Sequence, residues 1–231
     1  IASFLILVSV QFFLVYNTYN LKDEQYFLAE KKIINDQYAK SNRNDKVYPG
    51  AQKIIDTYIY GNMAALEDLY NTNIIEFNSL KEKVCDSLFT ALRAHSNTDS
   101  LFQAILNKNK FNHELKYLST VSAISITFKN NVYIPLYQAD NPNSYLSPGI
   151  QTDAGVIIGG HLKDPQTKNL VTTLNVSISQ DHTSHIAFRL YVDSPNRYLA
   201  ILKLMKPTFA LCLFSILVVV MIYFFTFRKI G

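Results

Sequence analysis

Asp181, His182 and His185 crowd into the stretch QDHTSH, and His161 could join them in space. Nitrogen and carboxylate donors at short spacing are the material of a zinc site. Here, however, the spacing is HxxH at the tip of a predicted hairpin, without the i, i+4 helical pair or CxxC partner that makes a zinc sequence specific. They read better as solvated turn histidines that titrate near neutral pH and make the region respond to acidity, and no metal is expected. GVIIGG, Gly155 to Gly160, invites a phosphate-loop reading. It has neither GxGxxG nor GxxxxGKS, and no helix N-terminus follows to receive a phosphate, so a strand with a flexible end is expected. No Ser, His and Asp set lies in a nucleophile elbow, and neighbouring carboxylates such as Glu67 and Asp68 suit a solvated helix face, so no catalytic residue is nominated. Asn175 heads an N-x-S sequon inside an alternating Leu-Asn-Val-Ser run, which reads as sheet surface rather than a glycan site. What remains is ligand contact. The loop QADNPNSYLSPGIQTDAG, Gln138 to Gly155, is long for a connection. Tyr137 and Tyr145 could stack on a small molecule there, and His161 is the third candidate binding residue.

Strands must position these residues. From Tyr117 the apolar period is two: Ile124, Ile126 and Phe128 alternate with Ser125 and Thr127, and Asn130 and Asn131 turn the chain into VYIPLY. Leu174, Val176 and Ile178 form a further strand, and DHTS turns into HIAFRLYV, where Ile186, Phe188, Leu190 and Val192 face one way. With GVIIGG that makes four or five antiparallel strands. The first half of the chain is helical instead. Phe27, Ile34 and Tyr38 share a face of a helix that the polar run AKSNRNDK ends. That stripe must be buried, against a second copy of the chain as a dimer stalk or against the domain's next helix. Ile55, Ile59, Leu66 and Leu69 mark a second helix, broken at Gly61 and restarted with Asn62 as N-cap. Phe77, Leu80, Val84, Leu88 and Ala91 mark a third, and Thr98 and Asp99 cap a fourth through Leu101 and Ile105.

The ends of the chain are of a different kind. Thr208 to Phe227 runs about 20 residues without a charge, enough to cross hydrocarbon as a helix, with Pro207 suited to its first turn and Tyr223, Arg228 and Lys229 marking the exit. Ile1 to Tyr16 is also uncharged, with Gln11 its one strongly polar side chain. No small-residue cleavage site follows it, so a retained first span is expected rather than a signal peptide. The run is short for a full crossing and does not begin with Met, so residues are expected upstream. The resulting division is a truncated first span at 1–16, a domain with helical stalks at 17–206, a second span at 207–227 and the start of a linker at 228–231.

All 18 acidic residues and all but two of the 22 Lys and Arg fall between the spans, leaving the domain near neutrality without a basic stripe. Nucleic acid is therefore not the expected partner. Cys85 and Cys212 make no disulfide framework, since the second lies inside a span. Arg228 and Lys229 after the second span favour a cytoplasmic C-terminal end and an extracytoplasmic domain, with Lys203 and Lys206 snorkelling from the other face.

The layout of two spans around a mixed domain, and wording such as LVYNTYNLKDEQYFLAEKKIINDQY, DKVYPGAQKIIDTYI and ELKYLSTVSAISITFKNNVYIPLY, resembles the sensor regions of bacterial membrane histidine kinases of two-component systems. The resemblance implies an α+β sensor fold of the PAS or Cache kind in the inner (cytoplasmic) membrane, multi-pass, working as a homodimer. It implies a relay of an unidentified stimulus through the second span to a kinase core using ATP and Mg, and from there to a response regulator. That core would follow FRKIG, so none of the five histidines is the phosphorylated one. A chemoreceptor or cyclase-linked receptor shares this input layout, and a two-span anchored protein without signalling is the third alternative.

Overall fold

The period-two run read from Tyr117 forms the middle of a sheet rather than one edge. The computed structural model describes residues 2–42, 45, 47–109, 111, 115–129, 132–140, 146, 150–163, 170–179, 183–194 and 197–230. They fall into two compact units, Lys32–Ser194 and Ile1–Lys31 with Pro195–Gly231.

In the larger unit β1 (Lys116–Thr127) pairs along its whole length with β6 (Thr183–Asp193). Its other edge is shared by β2 (Tyr133–Gln138), along the C-terminal half, and β4 (Gly155–Gly160), along the N-terminal half. Short β3 (Gln151–Thr152) borders β4, and β5 (Leu170–Ser179) borders β6. All pairings are antiparallel, and the six strands among the described residues exceed the four or five expected. The addition is β3, too short to leave a periodic signal.

A bulge decides which face of β1 meets the helices. Tyr117 and Val121 lie in the main core, and so do Ile124 and Ile126. Odd and even positions can share a face only if one residue is inserted between them, and the register with β6 shifts between Val121 and Ala123. Strand β6 keeps a single parity, with Ile186, Phe188, Leu190 and Val192 all in that core. Leu118 turns to the opposite face, where Ala154, Leu162 and Tyr191 form a small second cluster.

Helices supply the rest of the core. Helix α1 is continuous over Ala2–Asn42, and its last turns belong to this unit. It ends inside AKSNRNDK, as expected. Helices α2 (Ala51–Tyr58) and α3 (Met63–Thr72) are separated by a 3-10 turn over Tyr60–Asn62, at the anticipated break. The amide of Asn62 reaches back to the Tyr58 carbonyl at 2.8 Å and does not cap α3. Helix α4 (Ile74–Ala94) is capped by the Asn73 side chain, which accepts from the Glu76 N–H at 3.3 Å. It buries Phe77, Val84, Cys85, Leu88, Phe89 and Leu92, a wider face than the single stripe read from spacing. Helix α5 (Thr98–Asn109) buries Phe102, Ile105 and Leu106.

The smaller unit holds residues 2–31 of α1 together with α6 (Arg197–Leu204) and α7 (Lys206–Ile230). Pro207 sits in the first turn of α7, where it has no amide hydrogen to leave unpaired.

Candidate functional site

Among the described residues two helices are long and apolar enough to cross a membrane, Phe4–Asn42 and Lys206–Arg228. Their apolar side chains face outward: Leu5, Ile6, Phe12 and Phe13 on α1, and Leu213, Phe214, Phe225 and Phe227 on α7, are all more than half exposed. A water-soluble surface rarely carries an apolar patch of that extent.

Within the smaller unit the two helices touch through polar groups. The Gln11 amide donates to the Ser215 hydroxyl at 2.9 Å, and that hydroxyl donates in turn to the Cys212 carbonyl at 2.9 Å. Further along α1, Asp23 receives Arg197 in a two-point contact, Nε to Oδ1 at 2.7 Å and Nη2 to Oδ2 at 3.1 Å. The same guanidinium lies 4.6 Å from the Phe27 ring centre, and the Lys31 ammonium lies 4.3 Å from it. Moving up α1 from 11 to 23 means moving down the other segment from 215 to 197, so the helices run antiparallel. The two helix ends at Ala2 and Ile230 therefore share one end of this unit, and the Asp23–Arg197 latch marks the other. Sequence reading singled out Gln11 only as an interruption. The signal for its partner was present, since each apolar run carries isolated polar residues, and in hydrocarbon such residues are drawn to each other.

The stripe expected to form a dimer stalk is largely consumed inside the chain. Ile34 and Tyr38 are 0% and 1% exposed in the larger unit, where Tyr38 stacks on Phe188 at 6.1 Å and donates its hydroxyl to the Val47 carbonyl. The expected partner of the stripe is a second copy or the domain's next helix; Tyr38 instead packs on strand β6 and helix α5. Phe27 is half-buried beneath its two cations.

The ligand candidates do not converge. Tyr145 lies outside the described residues, as do Asp181 and His182. Tyr137 is a core residue, 2% exposed, with its ring 5.0 Å from that of Phe89 in edge-on contact. Burial, reinforced by Cys85 nearby, pushes its hydroxyl up to about 12. This corrects the expectation that it stacks on a ligand from solvent: beside Leu136, the strand turns it inward. His161 is exposed, with its N–H bonded to the Tyr117 carbonyl at 2.9 Å. Tyr137 pairs with Ile124, so the two lie at opposite ends of β1, about 20 Å apart at the rise of a strand. GVIIGG is a strand, yet its ends are held rather than flexible. Gly155 and Gly160 have φ of 120° and 88°, and a Cβ on either would run into the carbonyl of Val121 or Tyr117. No group of three or more His, Cys, Asp or Glu suited to a metal ion occurs among the described residues.

No protein-family model, curated protein or solved structure matches the chain.

Proposed function

We propose that this chain is the input region of a two-span membrane receptor, with the larger unit on one side of the bilayer and the output on the other. The observation that carries this reading is the antiparallel pairing of two outward-apolar helices, which brings the helix ends at Ala2 and Ile230 together, while the folded module lies between the two helices in the sequence. A bilayer fits the exposed belts of α1 and α7, since hydrocarbon has no penalty for Leu, Phe and Val where water does. The extramembrane module is the extracytoplasmic sensor, and α7 is the output helix. A stimulus moves such a device only by binding one arrangement of the exit helices better than another. The Asp23–Arg197 latch sits between α1 and α6 at the point where movement of α7 must be taken up.

The output favoured by the resemblance is a histidine kinase using ATP and Mg and passing its phosphoryl group to a response regulator. Its test is a membrane preparation of the full-length polypeptide incubated with labelled ATP and Mg. An acid-labile, base-stable phosphoryl group, altered in extent by Arg197→Gln, is the expected result. Label absent in a folded, membrane-inserted protein contradicts the kinase and leaves a chemoreceptor-like or cyclase-linked output.

A further inference from the structure

A cavity of about 490 Å3 lies in the larger unit, where the first turns of α2 meet the last turn of α4. That size is ordinary for a small-molecule site. Ile54, Tyr58 and Ala91 give it apolar, half-buried walls. Tyr48 is buried at the lining and ties the two elements together by donating its hydroxyl to the Leu92 carbonyl at 2.8 Å.

Two side chains bring polar heads able to carry positive charge, Lys53 from α2 and His95 from the end of α4. His95 Nδ1 lies 2.9 Å from the Ala91 carbonyl. A carbonyl only accepts, so Nδ1 carries a proton; in the imidazolium form Nε2 carries a second one and can donate to a ligand. The acids nearest in sequence are engaged elsewhere. Asp45 accepts from the Gly50 and Gln52 backbone N–H groups at 2.9 and 3.1 Å, closing the start of α2, and Asp56 accepts from the Gln52 amide at 2.8 Å. Among the described residues no carboxylate forms an ion pair with Lys53. An apolar slot with a cationic rim and no acid lining it selects against cations and neutral polar molecules, because a carboxylate brought there keeps charge-assisted partners.

We infer that this α2–α4 pocket binds a small amphiphilic anion, a flat apolar body against Ile54 and Tyr58 with a carboxylate held by Lys53 and His95. Binding rests on the pocket alone, and only its role as the stimulus site rests on the receptor reading above.

The test uses the full chain in phosphatidylcholine nanodiscs, titrated with naphthoate and with its neutral isostere naphthamide. The acid is expected to bind about ten-fold more tightly than the amide, the scale of one charge-assisted hydrogen bond. Lys53→Met should abolish that preference while leaving amide binding in place, and Ala91→Trp should remove binding of both. Equal affinity for acid and amide in the unaltered chain overturns the proposal. So does an unchanged acid preference in Lys53→Met, which decides the matter even where Ala91→Trp fails to fold by circular dichroism. Lost binding with correct membrane topology defeats the pocket and spares the receptor, whereas intact binding with the wrong topology does the reverse.

Discussion

Tyr48 and Tyr137 have their hydroxyls pushed up to about 12 by burial, and burial raises Tyr38 and Tyr117 as well, the last helped by its hydrogen bond to Asp99. A tyrosine in the unfolded chain ionises near 10. The folded state therefore favours the neutral phenol, and that contribution is fully present below about pH 10 and lost as pH rises from there towards 12. Following unfolding of the full chain in micelles against pH should show stability steady to about pH 10 and falling above it, with phenolate absorbance from these four buried rings appearing together with unfolding. Phenolate signal from these buried rings at about pH 10 in a still-folded protein would contradict the packing. Gly155 is the other sensitive position. Gly155→Ala forces a positive φ on a side chain that meets the Val121 carbonyl, and a loss of about 1–3 kcal/mol is expected in denaturant titration. An unchanged midpoint would mean that β4 does not approach β1 so closely. Neither effect was legible beforehand. The glycines of GVIIGG could be read as flexibility or as close approach, and only the pairing with β1 distinguishes them.

At the scale of elements the periodic signals were reliable where one face alone is buried. The stripe of α4 and the parity of Ile186, Phe188, Leu190 and Val192 came through, because a single apolar face repeats at the element's own period. Strand β1 was only half legible: its bulge changes parity in mid-strand, and both its faces are covered. Strand β3, two residues long, has no period to read. The isolated polar residues of α1 and α7 were visible as such, but not their pairing, because Gln11 and Ser215 lie 204 positions apart. That pairing makes a direct prediction. In a background lacking Cys85 and Cys212, Gln11→Cys with Ser215→Cys should be joined within one chain by a short bifunctional maleimide, while Gln11→Cys with Leu217→Cys, which faces outward, should not. Equal yields for the two pairs would dissolve the pairing. Leu217→Arg places a charge in the middle of α7 at a cost of about 2.5–3.5 kcal/mol on insertion scales, so the membrane-integrated fraction should fall. Full retention after carbonate extraction would speak against a span at that position.

For the whole molecule, the α+β order of helices then sheet was readable from the change of period at Tyr117, and so was the apolar character of both ends. The binding residues were not. Tyr137 looked accessible because it borders a long loop, but burial is a property of the assembled sheet. Lys53 and His95 carry no motif, since they stand 42 positions apart and only the α2–α4 packing brings them to one cavity. The central claim is that the two apolar helices place the module and the chain's last residues on opposite sides of a bilayer. Membrane-impermeant maleimide labelling measures this directly, in right-side-out vesicles carrying the chain without Cys85 and Cys212. Asp153→Cys, exposed beside β3, should label in intact vesicles, and Arg228→Cys should label only after they are opened. Labelling of both in intact vesicles, or of neither, would contradict the two-span arrangement.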